Sequence, residues 1–129
     1  MPQYWILKTE PSEYAFADLQ RDGRTRWDGI SNALALKHLR SMHRGDEAMV
    51  YHTGDEKRVV GLAKVVSEPD ARAVVELELG PALPTPVSLA TIKADPAFKD
   101  LALVRMSRLS VVPVPPEMWR KLLGMAGAR

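Results

Sequence analysis

The chain contains no cysteine, an absence that removes disulfides, thiolate zinc sites, iron–sulfur clusters and cysteine nucleophiles together. Stability must therefore come from packing, and a reducing, cytoplasmic setting is the expectation. Long apolar runs are also missing: nothing approaches the ~20 consecutive apolar residues that a membrane-crossing helix needs. The opening Met-Pro-Gln-Tyr-Trp-Ile-Leu-Lys lacks the basic end, apolar run and small-residue cleavage site of a secretory signal, so no membrane partner is expected. Histidine is scarce. His38 and His43 stand five apart, the wrong spacing for two ligands on one helical face, and no carboxylate cluster accompanies them, so neither a metal nor another cofactor is expected. There is no G-x-S-x-G elbow, and the eight glycines are scattered singly, which argues against nucleophilic hydrolysis and against a phosphate-cradling loop.

What remains is a chain of 129 residues, the common size of one domain, read as a single unit over 1–129. Its formal charge of +2 and pI near 9.0 are too mild to indicate nucleic acid by themselves. Distribution is more informative: Arg21, Arg24, Arg26, Lys37, Arg40 and Arg44 crowd one region, and Arg105 with Arg108 forms a second cluster. For any single one of these charges, a solvated surface is the ordinary explanation.

Periodicity predicts strands over 4–8, 48–53, 59–66, 73–79 and 106–114, with a brief extended piece at 25–27. The pair at 48–53 and 59–66 reads as a hairpin, and the proline-rich stretch 80–86 reads as a connection. Helices are predicted at 14–20, ended by Gly23; from Ser31, with Leu36, Leu39 and Met42 or His43 buried; as short turns at 88–93 and 96–100; and after Pro115-Pro116. Several non-adjacent strands separated by short helices imply an α+β fold with a closed or nearly closed sheet.

The tryptophans divide. Trp5 alternates within an apolar strand and Trp119 shares a helical face with Leu122 and Leu123, which places both in the core. Trp27 has Arg24, Thr25, Arg26, Asp28 and Gly29 for neighbours, so its ring is expected at the surface, lining a cleft or capping the barrel. An aromatic face among arginines is one way to hold an unstacked base, because every base offers a π-face and arginines attract the flanking phosphates.

Read in order, Tyr4-Trp5-Ile6-Leu7-Lys8-Thr9-Glu10-Pro11, Asp18-Leu19, Trp27-Asp28-Gly29-Ile30, Asn32, Leu39-Arg40, Met42, Gly45-Asp46, Val50-Tyr51-His52-Thr53, Val60-Gly61-Leu62-Ala63 and the segment 105–114 resemble the EVE domain family across nearly the whole chain. The resemblance implies a PUA-like mixed β-barrel with short peripheral helices, related to the YTH readers of methylated adenine. It implies a non-catalytic, monomeric reader whose partner is DNA or RNA carrying a modified base, such as methylated or hydroxymethylated cytosine, flipped into an aromatic pocket. Carried over by position, Trp27 would stack on the base. Lys8, Thr9 and Asn32 would meet its edge, Tyr51, His52 and Thr53 would line the opposite side, and Arg105, Arg108 and Ser110 would contact phosphate or base. Strand alternation puts Tyr51 and Thr53 on one face and His52 on the other unless the strand bulges.

Two departures stand out. An arginine, a tyrosine and a second arginine usual after Trp27-Asp28-Gly29 are replaced within Ile30-Ser31-Asn32-Ala33-Leu34-Ala35-Leu36-Lys37, and the region 67–76 is shorter than usual. Weak, salt-sensitive binding that favours single-stranded or easily opened sites is therefore expected. Two other functions compete: an enzyme using Glu10 or Asp28 as base, and a domain that docks a peptide at Trp27.

Overall fold

The β-forming residues at the start of the chain make β1 (Tyr4–Thr9), in which Trp5, Ile6 and Leu7 are buried in succession rather than alternately. β1 is buried on both faces and is interior to the sheet, pairing in parallel with β3 (Glu47–His52) and antiparallel with β6 (Val111–Val114). β3 makes a hairpin with β4 (Arg58–Val65), β4 pairs with β5 (Val75–Ser88), and β5 carries β2 (Arg24–Trp27). The computed structural model, which describes residues 2–128, thus contains one curled six-stranded sheet in the order β2-β5-β4-β3-β1-β6. The outermost residues of the expected 1–129 unit, Met1 and Arg129, lie outside the described residues. The α+β class, the curled sheet and the short helices are those that the sequence led us to expect of a mixed β-barrel with short peripheral helices, the sheet here forming a half-barrel.

Short helices close the barrel, each with a local stop or start signal. α1 (Phe16–Asp22) has Asp18 accepting from Ala15 N–H at 2.7 Å and ends at Gly23, whose φ of 73° lies in the left-handed region that glycine tolerates. α2 (Ala33–Arg40) is capped by Asn32, whose side chain accepts from Ala35 N–H at 3.0 Å. α3 (Leu89–Ala94) is capped by Ser88, α4 (Ala102–Arg105) follows a 3₁₀ turn at Pro96–Phe98, and α5 (Pro116–Met125) opens on proline. On α5, Trp119 is buried and stacks on Tyr4, ring centroids 4.8 Å apart.

Four expectations need correction. The strand predicted at 73–79 does not stop at the prolines: β5 runs to Ser88, because Pro81, Pro84 and Pro86 lie on exposed positions beyond the stretch paired with β2, where a missing N–H costs no ladder bond. The strand predicted at 106–114 is only β6, since Met106 N–H bonds back to Ala102 O and Leu109 N–H to Met106 O, which folds 106–110 into turns. In α2 the buried residues are Ala35 and Leu39, with Met42 just beyond the helix, while Leu36 is half-buried and His43 exposed. Trp27, finally, is a core residue at 7% exposure: β2 and β5 bring Val75 alongside it, an apolar partner that its own neighbours in sequence do not supply.

Candidate nucleic-acid interface

Strand alternation puts Thr25 and Trp27 on one side of β2 and Arg24 with Arg26 on the other. Because β2 has only β5 for a partner, its free edge opens on a cleft of about 660 Å³ between β2 and the end of β1. Lys8, Thr9, Tyr14, Thr25, Trp27 and Ile30 line it, with Arg24, Arg26, Asp28 and Glu76 at its margin. Tyr14 meets Trp27 edge-on, centroids 6.4 Å apart and planes at 85°, so the two rings form an aromatic corner. The corner is braced from both sides: Thr9 Oγ1 donates to Tyr14 O at 2.7 Å, and the Tyr14 hydroxyl donates to Asp22 at 3.0 Å. Trp27 also lines a second hollow of about 470 Å³ with Leu36 and Arg72.

The cations here are held loosely. Arg24 pairs with Glu78 at 3.1 Å and Arg26 with Asp70 at 3.4 Å, all four side chains exposed; such pairs contribute about 0–1 kcal/mol, so an incoming phosphate can displace the carboxylates. Lys8 is different. Its ammonium donates to Ser107 O at 2.9 Å and lies 5.6 Å from the Tyr51 ring centre, and partial burial holds its pKa below the ordinary lysine value.

Of the residues expected at the site, Lys8, Thr9 and Trp27 meet in this cleft. Asn32, Arg105 and Arg108 meet instead in a neighbouring depression of about 520 Å³ formed with the 106–109 turn. The other four line neither. Tyr51 is buried beneath Lys8. His52 turns toward α1, its Nε2 accepting from Phe16 N–H at 3.0 Å and its Nδ1 bonded to Glu56 at 2.9 Å, so the ring is committed to starting that helix. Thr53 donates to Glu10 at 3.2 Å, and Ser110 contributes its carbonyl to Lys8 N–H at 2.9 Å. Tyr51 and His52 are buried in succession because β3 is covered on both faces, every residue from Ala48 to His52 being buried; its register against β4 also shifts between Val50 and Tyr51.

The site residues expected from the sequence leave out Tyr14, Arg24, Thr25, Arg26, Ile30 and Glu76, all of which line the cleft. Tyr14 precedes α1 and is held at the site by Thr9, while Glu76, the polar residue between Val75 and Leu77, comes there by pairing with Arg26 across β2 and β5. Of the two carboxylates considered as bases, Glu10 is occupied by Ser12 and Thr53, and Asp28 stands at the cleft margin.

Compared with known proteins, residues 3–125 match the EVE domain family. The chain belongs to that family. Among EVE relatives, rat thymocyte nuclear protein 1 is 35% identical over 80 residues, which cover 53% of this chain and 35% of the rat protein. This chain's match thus spans about a third of the length of that relative. A protein of Rhodopseudomonas palustris solved by NMR superimposes with a TM-score of 0.90 at 38% identity, covering 97% of this chain and 93% of that one. Human THYN1 protein, solved in complex with 5-methylcytosine containing DNA, shares the fold with a TM-score of 0.89 at 24% identity, over 98% of this chain and 99% of that one.

Proposed function

We propose that this EVE domain is a monomeric, non-catalytic reader that takes one modified base of a nucleic acid into the cleft beside Trp27. The observation that carries the reading is the aromatic corner of Trp27 and Tyr14 set in a cleft rimmed by Lys8, Arg24 and Arg26. The cleft is of the size that accepts small ligands, roughly 300–1,000 Å³. The human relative's complex with 5-methylcytosine containing DNA favours DNA over RNA and a methylated cytosine as the base.

Energetics assign the parts. Flipping a base costs a few kcal/mol and one aromatic stack returns ~1–3 kcal/mol, so base capture alone roughly breaks even and phosphate contacts supply the affinity. Arg24 and Arg26, freed from their exposed carboxylates, are placed to do this. A methyl group in the apolar part of the cleft, against Ile30 and the rings, adds ~1 kcal/mol of preference.

The test is a fluorescence-anisotropy titration with a 5-methylcytosine DNA oligonucleotide at several salt concentrations, on wild type and on Arg24→Ala/Arg26→Ala. If each arginine contacts one phosphate, the double variant lowers the slope of log K against log salt by about 1.4–1.8 while keeping the preference for the modified base. An unchanged slope, or a wild type indifferent to methylation, overturns the reading.

A further inference from the structure

Met106 is the one large apolar side chain exposed among the described residues, at 44%. A lone exposed methionine is unremarkable on its own; its setting makes it informative. The turn that carries it is rigid: Met106 N–H donates to Ala102 O at 2.8 Å, Met106 O accepts from Leu109 N–H at 3.0 Å, and Leu109 is buried, anchoring the turn to the core. Arg105 and Arg108, both exposed, stand on either side of it in the depression next to the cleft. Arg108 makes no ion pair among the described residues, and Arg105 has only the exposed Asp100, at 3.0 Å.

The turn is also coupled to the cleft. Lys8 lines the cleft and donates to Ser107 O at 2.9 Å, and the segment that gives Trp27 and Ile30 to the cleft gives Asn32 and Leu34 to the depression. When a base leaves a duplex, its neighbours lose a stacking partner and a gap opens. Proteins that deform DNA fill such gaps with an apolar side chain, methionine among them, while adjacent cations hold the phosphates.

The geometry points to Met106 as the wedge that enters the base stack beside the flipped base, with Arg105 and Arg108 on the flanking phosphates. This rests on the reader proposed above and deepens it: an intact duplex becomes a substrate form, whereas the sequence alone favoured single-stranded or easily opened sites. The Met106 side chain is exposed in the free protein, so Met106→Ala should melt at the wild-type temperature.

The experiment compares wild type, Met106→Ala and Met106→Leu on one 5-methylcytosine DNA strand, free and annealed to its complement, with 2-aminopurine next to the modified base. Covering the exposed part of Met106 predicts about a fivefold loss of duplex affinity in Met106→Ala, a smaller rise in 2-aminopurine fluorescence, unchanged single-strand affinity, and recovery in Met106→Leu. Equal duplex affinity for wild type and Met106→Ala overturns the wedge, as does an equal loss on both DNA forms. A wild type that prefers the methylated single strand but does not bind the duplex overturns the wedge and leaves the reader standing. A wild type that binds the duplex with no rise in 2-aminopurine signal overturns both.

Discussion

Asp46 is the buried carboxylate that ties the start of β1 to the turn entering β3, and removing it should loosen both. Its side chain is 2% exposed and accepts four hydrogen bonds. Oδ1 takes Gln3 N–H at 3.0 Å, while Oδ2 takes Trp5 Nε1–H at 3.1 Å, His43 N–H at 3.0 Å and Gln3 Nε2–H at 3.3 Å. In Asp46→Ala the two backbone donors and the Gln3 amide lie close enough to the surface to recruit water, but the Trp5 indole N–H is buried and is left without an acceptor. A lost bond to a charged group costs ~1.5–3 kcal/mol and an orphaned buried donor ~1–3 kcal/mol, so the variant should lose about 3–4 kcal/mol. Asp46→Asn discriminates, because its single oxygen can occupy the Oδ2 position and keep three donors while its NH₂ faces Gln3 N–H, at a cost of about 1–2 kcal/mol. Urea unfolding followed by circular dichroism at neutral pH gives both values from midpoint shifts at constant slope. Trp5→Phe, made alone and on Asp46→Ala, closes a double-mutant cycle in which the second change should cost little once Asp46 is gone. Asp46→Ala within 1 kcal/mol of wild type, or Asn as damaging as Ala, would refute the reasoning.

Three further outcomes are expected. Trp27→Ala should weaken binding and also destabilise the protein by about 3 kcal/mol, below the loss for Trp119→Ala because Trp27 already lines two hollows; thermal or urea melts of the two variants check the order. Gly61→Ala should cost about 1–3 kcal/mol, since a Cβ there would meet the Phe16 ring at 2.2 Å, and calorimetry should recover part of the loss in the Gly61→Ala/Phe16→Leu double variant. The His38 imidazole, packed against Trp5, is held below its ordinary pKa by burial and then by the Lys37 charge. The unfolded chain therefore binds the proton first. This contribution is full above the ordinary value of about 6.5 and is lost as pH falls from there through the depressed folded value, so stability between pH 7 and pH 5 should fall less steeply in His38→Gln.

Local signals made much of the fold legible in the sequence. Alternation located β1 and the β3–β4 hairpin, and Gly23, Ser31 and Pro115-Pro116 marked helix ends that the structure places within a few residues of the prediction. What the sequence concealed depends on contacts between distant residues. The prolines of 80–86 are compatible with a strand because that part of β5 has no strand paired on its far side, where Thr85 N–H bonds instead to Ala126 O. Trp27 looked solvent-facing because its apolar partners, Val75 across the sheet and Tyr14 before α1, are remote in sequence. The motif 50–53 read as one wall of a pocket, yet His52 serves Phe16, Thr53 serves Glu10 and Tyr51 lies under Lys8. A resemblance identifies which residues recur in a family; whether each faces a ligand or supports the wall behind it is decided by packing.

The central claim, that the cleft beside Trp27 holds the modified base, is tested most directly by the indole N–H signals of the three tryptophans in a ¹H–¹⁵N NMR titration with 5-methylcytosine DNA and its unmodified counterpart, assigned with Trp27→Phe. The account predicts that the Trp27 signal moves strongly with the methylated strand and less with the unmodified one, while Trp5, bonded to Asp46, and Trp119 stay in place. A Trp27 signal that does not move at saturation, or that moves equally with both strands, would contradict it.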